Sequence, residues 1–282
     1  MIIMDLSQVM IATLMVQLGN HTNAELDENI LRHMIINSIR ANKVKFEKEF
    51  GELVIAVDDR KFWRRDLFPY YKANRKKARD ASELNWNMIF ESLHKIREEL
   101  KEFFPYRIIQ IEGAEADDVI AILTKNAPKE SPLLILSGDK DFQQLQKYKN
   151  VKQYSPPMKK WIQCRDPEIF LKEHIIRGDI GDGVPNFLSP DDSLVTGTRQ
   201  KAITKKKLDS WLKKEPEQFC IGDMLRNYKR NQQLVDLSFI PENIEAAILE
   251  EYNTQEYGNR SKLFNYFIKF KLKNLLENIN DF

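Results

Sequence analysis

The sequence is poor in the residues that most often carry catalytic or metal chemistry. Of 282 residues, two are cysteine (Cys164 and Cys220) and four are histidine (His21, His33, His94 and His174). Neither cysteine sits in a CxxC pair or beside a histidine, so no disulfide framework or thiolate zinc site is expected, and a reducing compartment is indicated. The histidines are scattered and predict no zinc site. Net charge is nearly absent too: 44 Lys/Arg against 42 Asp/Glu leave +2, so total charge says little about partners. No apolar run reaches the length of a membrane span, and only Met1 to Met4 are apolar before Asp5, which predicts no signal peptide. Repeats and low-complexity tracts are lacking as well. What remains is 42% hydrophobic and 30% charged. That composition suits a soluble intracellular protein of one large domain or two small ones.

Apolar patterning predicts alternating strands and helices. Met1 to Met4, Leu53 to Val57, Arg107 to Ile111 and Leu133 to Leu136 are continuous apolar runs of strand length. Between them lie helical periodicities over about Asp27 to Phe50, Asn85 to Phe103 and the stretch opening at Glu115. This order predicts an α/β fold with a mostly parallel central sheet and flanking helices. After Asn150 the character changes. Val151 to Ile162 suggests a β-ribbon, and the rest is expected to be helical. Its predicted helices run Pro167 to Arg177, Thr198 to Lys214, Pro216 to Val235, Pro241 to Tyr252 and Arg260 to Ile279, several opened by proline. The expected division is 1–165, an α/β core with a basic helical arch at about 60–90, and 166–282, a helical region with a helix-loop-helix.

The stretch Ile111 to Phe142 carries two acidic clusters, Glu115-Ala-Asp117-Asp118 at a helix start and Asp139-Lys-Asp141 after a strand. Taken alone, each is equally well a complement to a helix dipole or an ordinary turn. Asp5, Asp58 and Asp139, however, each follow the end of an apolar strand. In a parallel sheet those ends share one edge, where ligands bind. Carboxylates gathered there repel one another unless a cation lies between them, and their oxygens suit a hard cation.

Basic residues are concentrated near these acids. Arg60 to Arg79 holds nine Lys/Arg against one Asp, interleaved with Trp63, Phe68, Tyr70 and Tyr71. Lysine and arginine neutralise phosphates, and aromatic rings stack on unpaired bases; the alternative is a solvated helix face with inward aromatics. A second run, Arg199 to Lys214, holds seven Lys/Arg against one Asp and suits a duplex backbone. An acidic pocket between basic surfaces points to phosphodiester chemistry.

With these residues in hand, the sequence resembles the 5′-nuclease (flap endonuclease) superfamily, in particular its phage ribonuclease H branch. Asp5, Asp58, the Glu-Ala-Asp-Asp helix start, Gly138-Asp139-Lys140-Asp141 and Gly178-Asp179-Ile180-Gly181-Asp182 follow the family's order of acidic motifs. Trp63-Arg64-Arg65-Asp66, Tyr70-Tyr71-Lys72 and Asn74-Arg75 also match, so the likeness covers nearly the whole chain. It implies a nuclease using two Mg²⁺ ions, with Mn²⁺ as substitute. Asp5, Asp58 and Asp117 would lie nearest one metal, with Asp139 shared. Glu115, Asp141, Asp179 and Asp182 would form a looser second group, with Asp118 in the outer shell. Lys72 and Arg75 would grip the scissile or 5′ phosphate at the base of the arch, and Tyr71 would stack on the adjacent base. Arg64, Arg65 and Arg79 would add contacts in the arch, and Arg199, Lys201, Lys205 and Lys206 would hold duplex. The segment Gly183-Val184-Pro185-Asn186-Phe187 departs from the family, lacking the repeated glycines associated with K⁺ binding.

The implied substrates are DNA with a 5′ flap or nick and RNA–DNA duplex, cut by a monomer working in the cytoplasm, that of an infected host if phage-encoded. A single-strand-binding protein and a sliding clamp are implied partners. The alternatives are a PIN-like single-strand ribonuclease, which is shorter and lacks an arch, and a non-catalytic junction-binding protein, which would gain nothing from dense acids beside phosphate. A haloacid-dehalogenase-type phosphatase is excluded, because Asp5 is followed by Leu6-Ser7 and not by a second aspartate.

Overall fold

The computed structural model describes residues 1–18, 27–82, 84–256, 258 and 260–282; His21 lies outside the described residues. Six strands form one sheet: β1 (Ile2–Asp5), β2 (Leu53–Ala56), β3 (Arg107–Ile109), β4 (Leu133–Leu136), β5 (Val151–Ser155) and β6 (Lys160–Ile162). Their order is β3-β2-β1-β4-β5-β6. The first five run parallel and β6 returns antiparallel along β5. The central strands β2 and β4 are apolar throughout, and β1 is apolar up to Asp5, because both faces are covered there, as parallel sheets require. Ile2, Met4, Leu53, Ile55, Leu134 and Leu136 face one core, while Ile3, Val54, Ala56, Leu133 and Ile135 face the other.

The helices are α1 (Leu6–Leu18), α2 (Glu28–Phe50), α3 (Trp63–Leu67), α4 (Ala73–Asp80), α5 (Trp86–Phe103), α6 (Ala116–Asn126), α7 (Pro167–Arg177), α8 (Ser193–Thr196), α9 (Lys205–Trp211), α10 (Pro216–Phe219), α11 (Asp223–Val235), α12 (Glu242–Thr254), α13 (Ser261–Lys269) and α14 (Lys273–Leu276). Helices α1, α2, α5, α13 and α14 contribute to the first core, and α6 and α12 to the second. Polar caps fix several starts. Asp27 accepts from the amides of Asn29 and Ile30 ahead of α2, and Asp166 accepts from Ile169 N ahead of α7, whose first residue is Pro167. A separate core of Ile175, Ile176, Phe187, Leu208, Phe219 and Tyr228 organises the segment from α7 to α11.

The α/β alternation matches the expectation, with local corrections. Helix α1 was not anticipated, since Leu6, Val9, Met10, Ile11 and Leu14 give a nearly continuous apolar run and no amphipathic period. Only Lys205–Trp211 of the expected Thr198–Lys214 helix forms, capped by Thr204. The expected Pro216–Val235 helix breaks where Gly222 takes φ 57°, and the one over Arg260–Ile279 breaks at Lys271, φ 56°.

Strand order reverses at β1, whose neighbours β2 and β4 lie on opposite sides. Such a switch point opens a crevice at the carboxyl ends of the strands. Asp5 ends β1, Asp58 stands two residues past β2, and Ser137-Gly138-Asp139 follow β4. The fold therefore delivers three aspartates to one rim.

Away from that rim, Arg32 is fully buried. It donates to Glu99 at 2.6 and 2.9 Å and to Glu28 at 2.7 Å, while Tyr266 donates to Glu99 at 2.7 Å. The guanidinium also lies 4.0 Å from the centre of the Phe270 ring. This cluster ties α2 and α5 to α13. Arg32→Ala would leave the Glu99 carboxylate buried and uncompensated, and is expected to cost about 3–5 kcal/mol. Urea unfolding checks this; an unchanged midpoint would show that the cluster adds nothing.

Candidate active site

Backbone geometry sets the first carboxylates. Asp5 Oδ1 accepts from Gln8 N at 3.0 Å and Oδ2 from Ser137 Oγ at 3.1 Å, which joins β1 to β4. Asp58 accepts from Ser7 Oγ at 2.5 Å and from Ala116 N, at the start of α6, at 2.8 Å. Asp139 accepts from Asp141 N at 2.9 Å and starts the 3-10 turn Lys140–Lys147. These bonds hold the aspartates in place without neutralising them. Burial, and after it repulsion from Asp58, push Asp5 up to about 7. Burial and then Asp141 push Asp139 up to about 6. Asp117 is also raised, by burial first and by Asp139 next. Carboxylates this unfavourable as anions are a fitting donor set for a hard divalent cation, which would relieve the repulsion between them.

Glu115 and Asp118 play a different part. Both are fully buried, and each cross-bonds the other's backbone as the capping box of α6. Arg64 lies between them, with Nη1 2.8 Å from Glu115 and Nη2 2.8 Å from Asp118. Its Nε donates to Leu234 O at 3.0 Å, and Trp63 Nε1 donates to Asp118 at 3.0 Å. Two expectations are corrected here. Arg64 is 2% exposed and has no face for a nucleic acid; it is a buried strut. Asp118 takes its bonds from the helix cap, Trp63 and Arg64. Tyr71 is also corrected: it is 3% exposed, and its hydroxyl donates towards Glu115 and Asp182, so it does not present a stacking face. Glu115 is further paired with Lys72.

A second acidic group lies beside the first. Asp117, Asp141, Asp179 and Asp182 line one small cavity with Arg64, Tyr71 and Val184. Asp179 is placed by Gly178, whose φ of 68° suits glycine and whose position leaves no room for a Cβ, because the Val184 and Pro185 carbonyls would lie within 2.5 Å of it. One member lies outside the acidic motifs. His174, near the end of α7, puts Nε2 2.8 Å from Asp141 Oδ1 and 3.4 Å from Asp179 Oδ2. Burial alone would lower its pKa, but the two facing carboxylates outweigh that and raise it to about 9. Lys140 Nζ is 3.0 Å from Asp179 Oδ2. Burial favours the neutral acid at Asp179, yet contacts with His174 and Lys140 prevail and hold its pKa well below the usual range. A spacing argument limited to CxxC or HxxH patterns misses His174, because its partners are carboxylates, one of them from another segment. The available signal was its position four residues before Gly178-Asp179, one helical turn from the acid.

The basic residues divide between two places. Arg65, Lys72, Arg75 and Arg79 line a cavity of about 980 Å³ with Ser7, Asp58, Phe62, Trp86 and Phe90, between α1, α5 and the segment carrying α3 and α4. The arch is closed at its base by the loop after α7. Lys72 N donates to Asp182 O at 2.7 Å, Asn74 Nδ2 to Ile180 O at 2.6 Å and Arg75 Nη2 to Asp182 Oδ1 at 2.5 Å. Gly183 belongs to this contact, since a Cβ there would lie 2.8 Å from Tyr70 O. Arg199, Lys201, Lys205 and Lys206 are exposed on α9 and the segment before it, and line neither cavity.

The upward shifts of Asp5 and Asp139 carry a sign. In metal-free protein the folded state binds these protons more tightly than the unfolded chain. Their stabilising effect is complete below about pH 4 and is lost as pH rises through 6 and 7. For Asp5 the shift corresponds to on the order of 4 kcal/mol. Asp5→Asn is therefore expected to gain stability over the parent protein between pH 4 and 8 in EDTA. Thermal melts across that range check this, and parallel profiles would refute it.

The similarity of the chain to known proteins agrees with this geometry. Residues 10–174 match the family described as 5′-3′ exonuclease, N-terminal resolvase-like domain, and residues 165–282 match that described as T4 RNase H, C terminal. The chain is 37% identical to the ribonuclease H of Enterobacteria phage T4 over 293 aligned residues, covering 99% of this chain and 95% of that protein. A shorter match, 37% over 106 residues, covers 37% of this chain and 34% of a 5′-3′ exonuclease from Buchnera aphidicola. Among solved structures, the bacteriophage T5 flap endonuclease in complex with DNA and metal ions superposes with a TM-score of 0.62 at 17% identity, covering 90% of this chain and 99% of that one. The T5 5′-exonuclease with bound zinc gives a TM-score of 0.59 at 16% identity, covering 99% of each chain. The fold is thus that of the 5′ nucleases, and the chain belongs to the 5′-3′ exonuclease family.

Proposed function

We propose that this protein is a metal-dependent 5′-to-3′ exonuclease and flap endonuclease. In this reading it hydrolyses phosphodiesters at the 5′ ends of DNA and RNA–DNA duplexes and removes RNA primers during DNA replication. The observation that carries the reading is the junction of two features: strand-end aspartates at the sheet's switch point, and a cavity where Asp58 shares the walls with Arg65, Lys72, Arg75 and Arg79. The proposed cofactor is a pair of Mg²⁺ ions, with Mn²⁺ as substitute. Asp5, Asp58, Asp117 and Asp139 would hold one, and Glu115, Asp141, Asp179 and Asp182 the other. When bound, such ions supply an acidified water and charge stabilisation for in-line displacement at phosphorus.

The chain's own residues would do the rest. Lys72 and Arg75, now paired with Glu115 and Asp182, would exchange those carboxylates for phosphate oxygens and set the scissile group over the acids. Their flexible side chains allow the exchange, because a charge-assisted bond to phosphate replaces one to carboxylate. Arg65 and Arg79 would hold the neighbouring strand, and Arg199, Lys201, Lys205 and Lys206 the duplex beyond. No serine or histidine nucleophile is required.

As a functional division, residues 1–165 would form the nuclease core and 166–282 the duplex-holding region. A monomer, a single-strand-binding protein and a sliding clamp as partners, and the cytoplasm of an infected host cell as the place of action rest on the family resemblance. Among the described residues, no helix is long and apolar enough to cross a membrane.

Product mapping on a 5′-flap duplex and a matched single strand, with Mg²⁺ or EDTA, tests the reading. Metal-dependent cutting at the flap junction or stepwise from the 5′ end is expected; cutting of the single strand alone would replace it with a PIN-like activity. Asp139→Ala is expected to abolish cleavage while leaving DNA affinity within about threefold, because a metal ligand and not a phosphate contact is lost. Lys72→Ala with Arg75→Ala is expected to slow cleavage far more than it weakens binding. A purely proportional loss of affinity would make them simple anchors.

A further inference from the structure

We propose that His174 is a nitrogen ligand of the second cation, and that it turns this position towards Mn²⁺ and other borderline first-row ions over Mg²⁺. The inference rests on the metal-dependent reading above and adds a donor that the acidic motifs do not contain. Asp141, His174 and Asp179 each offer one ligand atom, and these atoms lie within 4.8 Å of one another; among the described residues no other three His, Cys, Asp or Glu side chains do so.

Two of these atoms face each other without hydrogen-bond alignment. His174 is 6% exposed, and its Nε2 and Asp141 Oδ1 are both buried without a hydrogen bond of acceptable geometry, although they are 2.8 Å apart. Interior polar atoms are almost always satisfied, so a facing pair of orphans marks a place for something else. The misalignment also argues against the rival role. An imidazolium serving as a fixed counter-ion would aim its N–H straight at a carboxylate oxygen. Here the 2.8 Å contact with Asp141 lacks that alignment, and Asp179 already has a cation in Lys140. Lys140 is half exposed, so it can withdraw when an ion enters.

The scaffold around the three donors is stiff. His174 sits on α7, where its ring lies 5.8 Å from that of Phe170 at 29°. Its carbonyl accepts from Gly178 N at 2.8 Å, and Gly178 turns the chain so that Asp179 comes back beside the ring. Asp141 arrives on the 3-10 turn Lys140–Lys147. Two carboxylate oxygens and one imidazole nitrogen differ from the all-oxygen set expected around Mg²⁺. Imidazole suits first-row transition ions, whereas Mg²⁺ is held by oxygen and keeps its waters.

The test uses the full chain without DNA. Mn²⁺ and Mg²⁺ are titrated calorimetrically into the parent protein, His174→Gln and His174→Lys, and Mn²⁺ samples are examined by pulsed EPR for ¹⁴N coupling. Circular dichroism first establishes that each variant is folded. The expected result is ¹⁴N coupling in the parent that disappears in both variants. One Mn²⁺ affinity should fall by about tenfold or more while Mg²⁺ affinity changes little. Two bound Mn²⁺ with no ¹⁴N coupling would overturn the ligand role alone. Full Mn²⁺ affinity in His174→Lys would establish His174 as a counter-ion instead. A parent protein that binds no Mn²⁺ would overturn both this inference and the metal-dependent reading beneath it.

Discussion

Repulsion among carboxylates at one edge of the sheet is the constraint on which the rest of the structure depends. Asp5, Asp58 and Asp139 are brought together by strand order, Asp117 joins them from the first turn of α6, and burial withholds the water that would otherwise screen them. The protein answers with cations placed one by one. Arg64 neutralises Glu115 and Asp118, Lys72 and Arg75 face Glu115 and Asp182, and Lys140 faces Asp179. The acids nearest the strand ends receive only hydrogen-bond donors.

The arch and the loop after α7 are coupled through backbone as well as charge. The amide of Lys72 is bonded to the carbonyl of Asp182, and Gly183 lies against Tyr70. Phe68, Tyr71, Val184, Leu234 and Val235 share one small core beneath this contact. A residue of the arch base therefore cannot move without moving the loop that carries Asp179 and Asp182. Lys72 and Arg75 and the second acidic group form a single mechanical unit, and the αL conformation of Lys72, φ 56°, lies at its centre.

Much of this was legible without coordinates. Continuous apolar runs between amphipathic helices fix a parallel sheet buried on both faces, and an aspartate after each of three runs fixes an acidic rim. The helix starts at Asp27, Asn85 and Asp166 are marked by their own capping side chains. These are local or periodic signals, and each survives in one dimension because it depends on residues within a few positions of one another.

What the chain order could not reveal depended on burial and on long-range pairing. Arg64 and Arg65 are adjacent and chemically alike, yet one is sealed between Glu115 and Asp118 and the other faces the open cavity, because a helix turns successive side chains by about 100°. Tyr71 resembled a stacking residue until the Glu115 and Asp182 carboxylates were found around its hydroxyl. His174 had only Asp179, one helical turn on, to mark it in sequence, and the packing of α7 against the turn bearing Asp141 supplied the second carboxylate. By itself, the sequence determined the sheet, its acidic edge and the basic segment beside it, since those follow from composition and period. Tertiary structure alone decided which charges are struts and which are free to act, since that turns on where water is excluded.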